Sequence, residues 1–165
     1  MSQRLFSFPN PVNEVSARLV ASGVVAMSLT IVALHWTWVI VPLAYGFVAR
    51  MLTGPKLSPL GQFVTRFVTP RLGLQEKLVA GPPKRFAQGI GATLSVGAAL
   101  AHFVFGATGL AVLLVAAIAV AASLEAVVAF CLGCKVFAML MRVGVVPAET
   151  CEACNDLSLQ LGRAA

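Results

Sequence analysis

The stretch from Thr108 to Phe130, TGLAVLLVAAIAVAASLEAVVAF, decides the fold class: it carries a single charge, Glu125. A bilayer-crossing helix needs about 20 mostly apolar residues, and this stretch supplies them. The rest of the chain agrees with it. Of 165 residues, 59% are hydrophobic and only 11% charged, so a soluble core of this size could not bury so much apolar surface. The N-terminal MSQRLFSFP is interrupted by Pro9, Asn10 and Glu14 before an apolar core can form, unlike a signal peptide. The expected class is all-α: a polytopic membrane protein, a bundle of four transmembrane helices forming one domain over residues 1–165.

Working outward, the spans are expected at about 13–34, 38–52, 84–105 and 108–130. His35-Trp36-Thr37-Trp38 makes the first turn, its tryptophans suited to an interfacial belt. Thr53-Gly54-Pro55 ends the second span, and Gly81-Pro82-Pro83 opens the third. In the loop 53–83, Leu60, Phe63, Val64 and Phe67 recur at helical spacing, which predicts a cytoplasmic interfacial helix from Ser58 or Pro59 to Val68. The pattern of span four continues through the first cysteine pair to Met141. Unbroken, that helix would measure about 51 Å, so the part after Phe130 must emerge or bend. A cytoplasmic tail of 142–165 follows.

All twelve Lys and Arg lie at the N-terminus, between the cores of spans two and three, or after span four. The positive-inside rule then puts both termini, the central loop and every cysteine in the cytoplasm, with the chain a multi-pass protein of the inner (plasma) membrane. The same rule accounts for the net charge of +6, so no nucleic-acid partner is required.

The chemistry is expected in four cysteines, Cys131-Leu-Gly-Cys134 and Cys151-Glu-Ala-Cys154, separated by sixteen residues. Two readings compete. Each pair could cycle between dithiol and disulfide, Lys135 favouring a thiolate while a helix C-terminus opposes it. Alternatively, Cys131, Cys134, Cys151 and Cys154 could bind one zinc ion as thiolates and form a docking surface. Structural disulfides are rare in the cytoplasm, which argues against a plain staple. Glu125 is the only acid inside a span, and a cation from a neighbouring span is expected beside it: Arg18, Arg50 or Lys84. Lys84 and Arg85 at a helix N-terminus would suit an anion. His35 and His102 read as outer packing residues. Gly91-x-x-x-Ser95 and Gly97-x-x-x-Ala101 would allow close helix approach and are compatible with a homo-oligomer.

Pro70-Arg71-Leu72-Gly73, Gly81-Pro82-Pro83-Lys84-Arg85-Phe86-Ala87-Gln88 and Cys131-Leu-Gly-Cys134-Lys135, with Asn10-Pro11-Val12-Asn13-Glu14 upstream, resemble a bacterial, commonly actinobacterial, membrane family designated domain of unknown function 4395. The resemblance implies a small multi-spanning protein linked to thioredoxin-like or sulfurtransferase partners, and it carries no catalytic residue across. Residues and resemblance together lead to a thiol–disulfide or sulfur relay in the lipid bilayer, with the non-enzymatic zinc protein as the alternative.

Neither outer turn carries Lys or Arg, so reporter fusions at residues 36 and 106 should read as outside. Fusions at residue 75 and at the C-terminus should read as cytoplasmic. A cytoplasmic signal at residue 106 would break the four-span topology.

Overall fold

The computed structural model describes residues 8–73, 77–147 and 150. Among the described residues the fold is all-α apart from one two-residue strand pair. Helix α1 (Glu14–Leu34) begins where Asn13 Oδ1 accepts the Val15 N–H at 2.9 Å, and ends on His35 in the left-handed region. A tight turn over Thr37–Val39 leads into α2 (Ile40–Thr53), with Trp36 and Trp38 strongly exposed at the turn. Strand β1 (Val12–Asn13) pairs antiparallel with β2 (Leu78–Val79), tying the start of α1 to the segment ahead of α5 (Gly81–Phe103). Glu14 and Lys77 bridge at 2.8 Å beside that pair. Helix α6 (Thr108–Val128) runs back to the same end, and α7 (Leu132–Arg142) closes the described helices.

Helix α1 lies along α6, α2 along α5, and α5 along α6. Between them sits a core of Val24, Ile31, Ile40, Leu43, Ala98, Val115 and Ile118. Much of the outer surface is apolar, with Leu113, Val120 and Val127 all exposed. Among the described residues, three helical stretches are long and apolar enough to cross a membrane: Glu14–Leu34, Thr37–Leu72 and Thr108–Val128. Helix α5 is as long, but its Gly, Gln, Thr and Ser residues dilute its hydropathy.

The second stretch differs from the expected span and loop. Helix α2 stops at Thr53, because Gly54 adopts φ 66° and Pro55 follows it. Ser58 then caps a new start: its Oγ accepts the Gly61 N–H at 3.2 Å, and Pro59 occupies the first turn of α3 (Pro59–Phe63). Helical backbone continues through a π segment at Val64–Val68 into α4 (Thr69–Leu72). The expected helix is therefore present, but it packs against α1 instead of lying free on a surface. Leu60 fills the space left by Gly23, Val64 is buried, and Thr69 Oγ1 meets Ser16 Oγ at 2.9 Å. Gly54 packs on Pro9, which also meets Gly81 at the start of α5, so the break at 54–58 lies towards the end of the helical layer where α1 and α5 begin.

After Phe130 the chain bends, as the length of the apolar run requires. Span four does not run through the cysteines. It ends at Ala129 in the left-handed region (φ 56°), where the Ala129 and Phe130 N–H groups both donate to Leu124 O. Helix α7 then docks across the first turns of α5. Gly133 makes this approach: an added Cβ would stand 2.7 Å from Ala87 Cα, and farther along the Phe137 and Phe86 rings meet at 5.6 Å. Gly133→Val should force α7 off α5 and cost about 1–3 kcal/mol, as overpacking against backbone does. A clear fall in melting temperature in detergent is expected, together with faster amide exchange in 132–142 and unchanged exchange in α1.

Candidate functional site

The turn after α6 makes Cys131 the N-cap of α7. Its backbone is extended (φ −82°, ψ 100°), and its Sγ accepts the Cys134 N–H at 3.3 Å. Cys131 and Cys134 are joined by a disulfide, with Cα atoms 5.2 Å apart. The sign of the local electrostatics is thus opposite to the expected one. The pair stands at a helix N-terminus, where unpaired N–H groups and the dipole favour a thiolate. The Lys135 ammonium rests 5.7 Å from the centroid of the Phe130 ring. Cys151 and Cys154, the second expected pair and half of the expected zinc set, lie outside the described residues. Among the described residues no group of three His, Cys, Asp or Glu is placed to hold a metal.

Cys131 lines a cavity of about 110 Å³ that enters the helical layer between α1, α2, α5 and α6. Its walls are apolar in the main, from Val20, Val24, Phe47, Ile90, Leu94 and Ile118, with Arg50, Gln88 and Glu125 as the polar members. Cys134 is not part of that lining. Of the pair, Cys131 alone borders the cavity.

Arg50 is only 5% exposed. Gly46, one turn earlier on α2, leaves room for the guanidinium to fold back, and the group stacks 4.8 Å from the Phe47 ring centroid. Arg50 Nε donates to Gln88 Oε1 and Nη1 to Ser58 Oγ, each at 3.1 Å. Nη2 is buried and has no hydrogen-bond partner among the described residues. Ser58 and Thr53 are fully buried beside it; Thr53 Oγ1 donates to Ala49 O and accepts the Leu57 N–H, satisfying backbone at the helix break.

The other expected site residues are distributed differently. Glu125 pairs with Lys84, and both are largely buried. Arg18 instead closes the C-terminus of α6, donating to Ala126 O at 3.0 and 3.1 Å and to Val127 O at 3.1 Å, which satisfies carbonyls that the helix leaves open. Lys84 turns inward to Glu125, and Arg85 Nε donates to Met51 O at 3.2 Å. The two expected anion ligands thus point to different partners, while Asn10 Oδ1 accepts the Gly81 N–H at the start of α5. His102 Nδ1 lies 3.1 Å from Thr108 Oγ1 in the turn between α5 and α6, at the opposite end of these helices from the cysteine pair. Gln88 and Ser58 were not expected at a site. The Ser58-Pro59 capping step and a cation inside an apolar helix were the available signals.

A family model described as a domain of unknown function, DUF4395, matches residues 12–142, which include the first cysteine pair and every other residue of the cavity. No curated protein and no solved structure matches the chain.

Removing Glu125 leaves Lys84 buried without a counter-charge. Glu125→Ala should destabilise by about 3–5 kcal/mol, Glu125→Gln by less because an amide oxygen still accepts, and Lys84→Met with Glu125→Leu should recover most of the loss. Thermal unfolding of the three variants in detergent measures this; equal melting temperatures would show that the pair is solvated.

Proposed function

The chain belongs to the DUF4395 family, and we propose that it is a membrane-embedded thiol–disulfide relay whose working pair is Cys131–Cys134. The observation that carries this reading is the placement of a bonded C-x-x-C pair at the N-terminus of α7, with Cys131 of the pair among the residues that line a cavity in the helical layer.

The frame is a four-span protein of the plasma membrane with cytoplasmic termini. Helix α5 supplies the remaining crossing, since it lies along both α2 and α6 and must share their depth. The stretch Thr37–Leu72 is one crossing broken at 54–58. The cysteine pair then stands at the cytoplasmic face, where all twelve cations of the sequence also lie.

The exchange runs as a balanced two-electron step. A thiolate of a dithiol partner attacks Cys134 Sγ. The Cys131–Cys134 bond breaks, and its electron pair leaves on Cys131 Sγ, where the helix N-terminus and the Cys134 N–H stabilise the charge. The partner's second thiol then attacks its own sulfur in the mixed disulfide and releases Cys134. The partner has become a disulfide, the pair a dithiol, and the partner's two protons pass to Cys131 and Cys134. The dithiol Cys151/Cys154 on the tail, or a thioredoxin-like or sulfurtransferase protein, is the donor that fits this chemistry.

After full reduction, Cys131 should be alkylated by iodoacetamide at pH 7 at least about tenfold faster than Cys134, judged by mass spectrometry of the digested protein. Cys131→Ser should trap a mixed disulfide between Cys134 and the oxidised, disulfide form of the donor, because the second thiol that would release it is gone, and Cys134→Ser should not. Stoichiometric zinc that resists dialysis and is lost on replacing any one of the four cysteines would overturn the relay in favour of a metal clip.

A further inference from the structure

A second, larger space of about 730 Å³ follows one face of α5, where Pro82, Arg85, Phe86, Gly89 and Thr93 recur at helical spacing. Met51 of α2 and Phe137 of α7 add to its walls. Arg85, Ile90 and Thr93 are exposed, so this groove opens onto whatever surrounds the protein. Its deep end is apolar: Gly89 has no side chain, and Thr93 donates its hydroxyl to Gly89 O at 3.0 Å. From Gly81 to Thr93 the helix rises about 18 Å, close to the ~15 Å that one leaflet contributes to a bilayer core.

Arg85 is the one charged residue among those that line the groove, and it stands at the end where α5 begins. Its Nε donates to Met51 O at 3.2 Å, which ties the guanidinium to the last turn of α2. Nη1 and Nη2 have no hydrogen-bond partner among the described residues. Two free nitrogens on a planar, exposed fork match the oxygens of a phosphate.

We propose that this groove binds one anionic phospholipid, its phosphate on the Arg85 guanidinium and an acyl chain along α5 from Phe86 to Thr93. The inference takes from the reading above only that α5 crosses the bilayer; it is independent of the cysteine chemistry. An open apolar groove at membrane depth is filled by hydrocarbon, because water there would face apolar walls. The groove's length suits a chain that stays within one leaflet. Its cation stands at the cytoplasmic end, where basic pockets between spanning helices take up anionic headgroups. A lipid so placed touches α2, α5 and α7 together, and meets α7 at Phe137, one turn beyond Cys134.

The test titrates the full chain in detergent with dioleoylphosphatidylglycerol or dioleoylphosphatidylcholine and counts bound lipid by native mass spectrometry. A single tight phosphatidylglycerol is expected, held about fivefold more strongly than phosphatidylcholine. Arg85→Gln should erase that preference; its side chain is exposed, so the fold is kept. Gly89→Leu should weaken both lipids by about tenfold or more, because it fills the groove. A Cβ at that position meets only Met51, at 3.8 and 4.0 Å, which is ordinary contact. Cys131→Ser/Cys134→Ser should bind lipid as the unaltered protein does, so loss of the relay reading leaves this site standing. Equal affinity for the two lipids, or a preference that survives Arg85→Gln, overturns the headgroup assignment. Unchanged phosphatidylglycerol binding in Gly89→Leu overturns the groove. Displacement by millimolar glycerol 3-phosphate assigns Arg85 to a soluble anion and also overturns the proposal. In vesicles of the two lipids, Ile90→p-benzoylphenylalanine should photo-crosslink to phospholipid. An adduct with residues 151–165 or with a second chain, in place of lipid, overturns the occupant.

Discussion

A guanidinium held away from water must find oxygen acceptors, and in this protein that requirement organises the helical layer. Arg50 lies on a helix whose neighbours are apolar, and no carboxylate reaches it by hydrogen bond. Its acceptors are the neutral oxygens of Gln88 and Ser58. The first draws α5 against α2. The second stands at the start of the helix that follows the break, so the same hydroxyl caps that helix and accepts from the cation. Breaking a helix where Thr53 and Ser58 are buried frees backbone groups that water cannot reach. Thr53 and Ser58 satisfy several of them locally. The cation, the break and the contact between α2 and α5 are consequently one structure, and the cavity is the space this arrangement leaves beside Val24 and Ile118.

Long apolar runs were the legible part of the sequence. Helix α1 and α6 begin within a residue of where Asn13 and Thr108 place them, because an apolar run of sufficient length has few alternatives to a buried helix. Two features were not legible. The continuation of the second stretch to Leu72 depends on Leu60 meeting Gly23 and on Val64 being covered, contacts between residues far apart in sequence. The break after Val128 depends on Ala129 taking a left-handed conformation, for which alanine carries no signal as glycine would. Periodicity across that point stays helical, so it reads as one helix although the axis turns. The clue with physical content was Gly133: a residue without a side chain in an apolar pattern marks a close approach, here to Ala87.

The candidate site shows the same division. The cysteine pair and the buried charges were recognisable by type, since ionisable groups are rare in apolar helices. Their partners were a matter of geometry. Arg18, Arg50 and Lys84 were each chemically able to meet Glu125. Lys84 does so because α5 lies along α6, whereas Arg18 is close enough to the end of α6 to serve its carbonyls. Charge matching alone could not separate these, because a helix terminus competes with a carboxylate for a cation.

The turn at Ala129 changes the chemistry more than the fold. Had α6 continued through Leu132 and Gly133, both sulfurs would sit near the negative end of a helix, and a thiolate on either would be opposed. With the turn, α7 begins anew at Cys131, the first sulfur receives an N–H from Cys134, and the dipole acts in the favourable sense. The contribution of such a terminus is modest, about 0.3–1 kcal/mol at exposed sites and up to about 2 kcal/mol when partly buried. Cys131 is partly buried, towards the stronger end of that range. An effect of this size does not create redox chemistry, but it is enough to decide which of two otherwise equivalent sulfurs leaves as thiolate. Because Cys131 also lines the cavity, the same backbone turn sets both the electrostatics of its sulfur and the place of the residue beside the helical layer.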